Sequence, residues 1–396
     1  MGHEPKRVVL YIDSLKLGGA ERVTLSWAQW LSEAGWKPLV LTRQPRSWDF
    51  YPLPEGVIRV VEPEDPGWMR RLGPMAFPLR IRRLRHWLIE ERIDLAIGVT
   101  SLPAIKLLFA CRSLGLPCVV SERNYPPLKR IGRIWSLLRR WSYPWADLHL
   151  VQTKAVGEWL AQKLGAKRQL LLPNPVKWPL PAFNPHVEPE LWFANNGVTV
   201  NDPVLLAVGT KSDQKGFDRL VRWWIPLAER DQRLQLVIVG LDERIYHGRD
   251  QQAELRSLLN NWSHLQPRLH FPGRVGNLHN WYSRCQVFVL SSRYEGFPNV
   301  LLEAMAAGCC CVAADCPQGP ADLVASGVNG ILMPSTTDDQ GWVNTLSRVL
   351  KDPSERARLG QAATLVRDRY NSSNLAGILV GALASLTPKQ SLKSGH

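Results

Sequence analysis

SSRYEGFPNVLLEAMAAG, residues 291–308, leaves a strand, turns through Glu295, Gly296, Phe297 and Pro298, and continues from Asn299 as a helix that Gly308 stops. The run before it, QVFVLSS (286–292), is nearly all apolar, as in a strand covered on both faces. Strand, turn and helix in this order predict a parallel α/β sheet with the loop at its C-terminal edge, where such sheets bind ligands. The amides of Asn299, Val300 and Leu301 at the helix start would face an incoming anion, and the helix dipole adds roughly half a positive charge there. A diphosphate suits that position. Glu295 and Glu303, eight positions apart, can reach opposite ends of one extended ligand. Taken by themselves, the same residues also fit a solvated loop glutamate and a helix-surface glutamate.

The same punctuation recurs along the chain. VGTKSDQKGFDRL (208–220) is again strand, polar turn and helix start, with Lys211 and Lys215 placed to neutralise phosphate and glycines at 209 and 216 to bend the backbone. LKLGGAERV (15–23) follows the first strand, VVLYI, and its Gly18 and Gly19 permit close approach of a ligand. It is not the G-x-G-x-x-G fingerprint, which disfavours a redox cofactor. Both loops also fit ordinary solvated turns. Strands at PLVLT, DLAIGVT, PCVVSE and ADLHLVQT precede a proline-dense stretch over 171–201 with no period, read as the interdomain linker and its flanks. Strands at VLLAVG, LQLVIVG, RLHFPG and QVFVLSS follow it. Two doubly wound, Rossmann-like units in series are expected, over 1–180 and 181–370. A helix over 371–386 is expected to pack near or cross to the N-terminal unit, and a tail over 387–396 to be disordered.

The 396 residues, 45% hydrophobic and 21% charged, suit two globular cores. No stretch approaches the ~20 apolar residues of a membrane span, and the start runs directly into a strand, so neither signal peptide nor transmembrane segment is expected. Seven cysteines, an odd number set mostly in apolar runs, indicate reduced thiols and a cytoplasmic setting. Cys309, Cys310 and Cys311 occupy a β-like stretch whose neighbouring side chains point to opposite faces, so packing is favoured over metal ligation. The net charge of +14 is uneven: residues 1–180 hold 28 Lys and Arg against 15 Asp and Glu, and residues 181–396 hold 21 against 20. The partner of this basic charge therefore faces the N-terminal half, and a nucleic acid, an anionic membrane surface or a phosphorylated substrate would each fit.

With these residues in view, EGFPNVLLEAMAAG resembles the E-x7-E element of retaining glycosyltransferases of family 4. GGAERV, LPNPV (172–176), QKGFDRL, FPGRV (271–275) and GVNGILMP (327–334) are similar to further landmarks of that family, in the same order. The resemblance implies a GT-B fold, two Rossmann-like domains facing a cleft, and transfer from a nucleotide-diphosphate sugar, UDP-linked, without a metal or other cofactor. It implies that Glu303 holds the ribose and that Glu295 with the amides of Gly296, Phe297 and Pro298 binds the donor sugar. Lys215 would sit on the diphosphate, Gly18 and Gly19 would close over the phosphates, and the backbone near Arg274 and Val275 would meet the base. Glu295 and Lys215 are the catalytic candidates. Two departures stand out: Gly209-Thr210 where the family has Gly-Arg, and Glu122, Arg123 and Asn124 in the acceptor-side loop where many members have a histidine.

Two basic stretches complete the reading. Residues 69–88 are crowded with arginine; in residues 128–145 Ile131, Ile134, Trp135, Leu138 and Trp141 form one helical stripe, with Arg130, Arg133 and Arg140 off it. Trp87, Trp135, Trp141 and Trp145 stand among these arginines. A basic amphipathic helix with tryptophan at its margin suits an anionic membrane surface, and an ordinary core-facing helix with a solvated basic side fits as well. The expectation is a peripheral enzyme on the inner face of the membrane with a glycan or polyprenyl-linked acceptor. No nucleic-acid-binding module is recognisable. Another GT-B enzyme, such as a sugar-nucleotide epimerase, or a catalytically silent GT-B partner remains open.

Overall fold

Among the described residues, thirteen strands form two parallel sheets. The computed structural model describes residues 5–123, 127, 131–241, 248–317 and 319–386. Asn124, Arg130 and the tail over 387–396 lie outside the described residues. The first sheet has β1 (Arg7–Ile12), β2 (Lys37–Thr42), β3 (Ile58–Val61), β4 (Leu95–Val99), β5 (Cys118–Ser121), β6 (Leu148–Val151) and β7 (Gln169–Leu171), in the order β3-β2-β1-β4-β5-β6-β7. The second has β8 (Val204–Val208), β9 (Gln235–Val239), β10 (Leu269–Gly273), β11 (Val287–Leu290), β12 (Cys311–Ala314) and β13 (Ile331–Met333), in the order β10-β9-β8-β11-β12-β13.

Alternation along each strand builds a core on both faces. Val8, Leu10 and Ile12 meet Trp27 and Leu31 of the helix Gly19–Glu33 on one side, while Val9 and Tyr11 meet Ile105 and Leu108 of the helix Ser101–Arg112 on the other. In the second sheet Leu205 and Ala207 face one core, and Val204, Leu206 and Val208 the other. The cysteines obey the same rule. Cys310 enters the first of these cores, Cys309 and Cys311 the second, and burial pushes the Cys310 thiol up to about 12.

The chain divides at Pro175/Val176 and again at Asn371/Ser372. The helix Ser372–Ala384 groups with the N-terminal unit, where Leu375, Leu379 and Leu383 join the core around Trp27. Much of the proline-dense stretch read as linker is packed onto the second unit. Val176, Phe193 and Val198 are buried there, Val176 N donates to Tyr370 O at 3.0 Å, and Asn277 bonds both the N–H and the carbonyl of Val187 at 3.0 and 2.9 Å. Single anchors of this kind leave no period in the sequence. The sequence also gave no sign of β3, β7 and β13, which have four, three and three residues and lie at sheet edges.

Candidate active site

After β11 the chain turns through residues 291–298 into the helix Asn299–Ala306. The loop after β8 forms the short helix Ser212–Lys215, passes Gly216 at φ +65, and enters the helix Phe217–Arg230. A Cβ at Gly216 would lie 2.2 Å from the Ser291 carbonyl oxygen, so only glycine lets the two loops close on each other. Ser291 Oγ then donates to Lys215 O at 2.8 Å, and Arg293 N donates to Gln214 O at 2.8 Å. The Arg219 guanidinium donates to the Ser291 and Ser292 carbonyls at 2.7 and 2.5 Å. The segments 208–220 and 291–308 therefore build one site.

At its centre Lys215 Nζ donates to Glu295 Oε1 at 2.7 Å, and the Ser292 hydroxyl donates to the same oxygen. The two side chains are 15% and 6% exposed. The Lys215 stem lies against Gly209, where a Cβ would meet Lys215 Cγ at 2.7 Å. Glu303 is buried one turn into its helix, with the Tyr282 hydroxyl 3.4 Å from Oε2 and 3.2 Å from Val300 O.

Two expectations need correction. Of the three helix-start amides, Asn299 N donates to Phe297 O and Leu301 N to Pro298 O, both at 3.0 Å, so the tight turn consumes them and leaves Val300. Pro298 has no amide hydrogen, so only Gly296 and Phe297 of that trio can donate. Lys211 and Thr210 are exposed at the mouth of the loop. Arg274 is exposed and Val275 half-buried just after β10, beside Gly276, where a Cβ would stand 1.8 Å from Phe183 O.

In the N-terminal unit, Gly18 is extended and ends at the helix that begins with Gly19; a Cβ on Gly18 would meet the Glu21 carboxylate at 2.2 Å. Glu122 is buried and already engaged: Ser101 Oγ donates to its oxygens at 3.0 and 2.9 Å, and the Tyr143 hydroxyl at 2.7 Å. Burial first, and then this carboxylate, hold the Tyr143 phenol well above its usual value. Thr100, at φ +70, holds the strained backbone that starts the Ser101 helix. Arg123 donates to Asn174 Oδ1, lies over the Trp27 ring at 5.1 Å, and has an unpartnered Nη1; burial lowers its guanidinium to about 9. Ser101, Tyr143, Ser292 and Arg219 carried no signal in the local sequence.

The family described as Glycosyltransferase Family 4 matches residues 17–177, and that described as Glycosyl transferases group 1 matches residues 189–366. The chain is a family 4 glycosyltransferase. This glycosyltransferase is 27% identical over 176 residues to an uncharacterized glycosyltransferase of Haemophilus influenzae, a match spanning 44% of this chain and 47%, about half, of that protein. It is 26% identical over 359 residues, 89% of this chain and 91% of the relative, to a Campylobacter jejuni protein. That protein is named GalNAc-alpha-(1->4)-GalNAc-alpha-(1->3)-diNAcBac-PP-undecaprenol alpha-1,4-N-acetyl-D-galactosaminyltransferase. Among solved structures, HepE of Anabaena in complex with UDP and glucose superposes with TM-score 0.79 at 19% identity, over 96% of this chain and all of that one. That likeness is one of fold, and the fold of the glycosyltransferase is GT-B. Among the described residues no helix is long and apolar enough to cross a membrane.

Proposed function

We propose that this glycosyltransferase moves a hexosyl or N-acetylhexosaminyl group from a UDP-linked sugar to a lipid-linked or glycan acceptor in polysaccharide or glycolipid biosynthesis. The transfer retains anomeric configuration, uses no protein-bound metal and takes place at the cytoplasmic face of a membrane. The observation that carries the reading is the Lys215–Glu295 pair at the C-terminal edge of β11. A cation held at a sheet edge next to a carboxylate matches the two halves of a sugar diphosphate. As the anomeric C–O bond breaks, the diphosphate takes the electron pair and gains charge, which Lys215 neutralises. The acceptor oxygen bonds the anomeric carbon on the face the diphosphate leaves, so its proton has the departing phosphate oxygen as its nearest base. Glu295, relieved of Lys215 by the phosphate, accepts from hydroxyls of the sugar, and the N–H groups of Gly296 and Phe297 donate to sugar oxygens. Glu303 takes the ribose hydroxyls, with Arg274 and Val275 beside the base. On the acceptor side Arg123 keeps a buried Nη1 without a partner, whereas Glu122 is engaged within its unit.

The names of relatives support the substrate classes: HepE was solved with UDP and glucose, and the Campylobacter protein is named for a diphospho-undecaprenol acceptor. The test is a thermal-shift panel of nucleotide sugars, since a ligand at 100 times its Kd stabilises by about 2.7 kcal/mol. Donor hydrolysis and product analysis follow, with and without EDTA. No shift with any nucleotide sugar and no hydrolysis would sink the reading in favour of a silent binding partner. Activity that EDTA abolishes and Mg²⁺ or Mn²⁺ restores would remove the metal-free step, and an inverted product would remove retention.

A further inference from the structure

Large apolar side chains face solvent on two basic elements of the N-terminal unit. On the helix Arg133–Ser142, Trp135 and Leu138 pack inward on the core, but Ile134, Leu137 and Trp141 are 59%, 50% and 58% exposed. The expected single stripe is therefore split, and its outer half is apolar. Arg133 and Arg140 flank these residues on the surface, whereas Arg139 is buried over the Trp159 ring at 5.5 Å. The second element is the helix Gly67–Arg71 with the turn Gly73–Ala76, which buries Met69 and Ala76 and turns Trp68, Leu72 and Met75 out, Met75 by 77%. Arg70 and Arg71 are exposed beside them.

The two elements are joined. Phe77, directly after the turn, packs edge-on against Trp135 at 5.7 Å, and the helices Phe77–Glu90 and Arg133–Ser142 both rest on the helix Ser101–Arg112. Of the acids beside it, Asp65 is held by Arg80 at 2.6 Å and Arg83 at 3.3 Å, while Glu64 stays exposed and reaches Arg70 at 3.8 Å. Trp87, Trp135 and Trp145 are not part of this surface, because all three pack against the core. Apolar groups of this size, ringed by arginine, stay exposed at a cost in water that an anionic lipid surface removes: the apolar tips enter the acyl boundary while the guanidinium groups meet phosphate headgroups.

We infer that Trp68, Leu72, Met75, Ile134, Leu137 and Trp141 form one two-element insertion surface that docks this glycosyltransferase on an anionic membrane. The inference rests on the membrane reading above and adds the surface that performs it. Arginines near an anionic leaflet contribute about fivefold each to partitioning, within a Debye length that 1 M salt shortens to about 3 Å. The experiment is flotation of the full chain with phosphatidylglycerol-containing and with purely phosphatidylcholine vesicles, at low salt and at 1 M. It compares wild type, the variant Ile134→Ser/Leu137→Ser/Trp141→Ser, the variant Trp68→Ser/Met75→Ser, and Arg133→Gln/Arg140→Gln. Wild type is expected to float with anionic vesicles at low salt. Each apolar variant should lose tenfold or more of that affinity, and the arginine variant about 25-fold on anionic vesicles only. Melting temperature and the UDP-induced thermal shift report whether each variant is folded. Failure of wild type to float, or floating of both apolar variants like wild type, overturns the proposal. So does a wild type that ignores vesicles but elutes as a dimer that the Trp141 variant makes monomeric, since the surface would then cover a second copy. Absence of a UDP shift in wild type would sink the donor reading without touching flotation.

Discussion

Lys215 and Glu295 are partners across 80 positions of sequence, and each is the condition for burying the other. Lys215→Ala should lower kcat by 10²-fold or more while changing donor affinity less, because the leaving diphosphate carries more charge in the transition state than in the ground state. Steady-state and direct donor-binding measurements separate the two, and equal losses in both would contradict the role. The same variant should also lower the melting temperature, since an uncompensated buried carboxylate costs about 3–5 kcal/mol. The two loops were legible because strand–turn–helix order fixes where a loop lies, but only the family resemblance singled out Lys215 and Glu295 within them. Ser292 and Arg219 were not legible, because an arginine in a helix says nothing of a carbonyl 72 positions away. Glu122 shows the opposite failure. It reads as a loop acid near the acceptor, yet Ser101 and Tyr143, each 21 positions distant, use its lone pairs.

The loop after β8 closes on β11 through one glycine. Gly216→Ala should destabilise the protein by about 1–2 kcal/mol from the left-handed backbone alone, and by more from the contact with Ser291 O. It should weaken UDP binding as well, since the loop that carries Lys215 must retreat. Unchanged melting and UDP affinity would show that the loops are less tightly fitted than their distances indicate. The helix Arg133–Ser142 marks what periodicity leaves undecided. A 3.6-residue pattern located the helix, but with apolar residues on two sides and Arg139 turned inward it could not say which side faces the core. That choice belongs to Phe77 and to the helix Ser101–Arg112, which the local sequence does not contain.

Among the described residues two histidines are buried, His149 in the first unit against Tyr143 O at 3.1 Å and His270 in the second against Gln235 Oε1 at 2.9 Å, and burial lowers both to about 4. Unfolded histidine titrates near 6.5, so between that pH and about 4 the unfolded chain binds protons that the folded one refuses. Stability is therefore present above 6.5 and lost as pH falls towards 4, by up to about 3 kcal/mol in each unit. Urea unfolding at pH 7, 5.5 and 4 should show the loss, and His149→Gln/His270→Gln should flatten it; an equally steep loss in the double variant would contradict the assignment. The two parallel sheets were readable from alternating strands and helices, but the division at Asn371/Ser372 depends on where Leu375, Leu379 and Leu383 find a partner. Burying each leucine stabilises by about 1.5–3 kcal/mol, together comparable with the net stability of a domain. A chain stopped after Asn371 should accordingly become protease-sensitive in its N-terminal unit first, which limited proteolysis with fragment mapping would show. During synthesis, Val176–Asn371 emerges entire before the ribosome delivers the helix that closes the core begun by β1. The unit translated second is thus the first able to finish folding, and the unit translated first must wait, with the surface around Trp27 uncovered, until the helix Ser372–Ala384 is made.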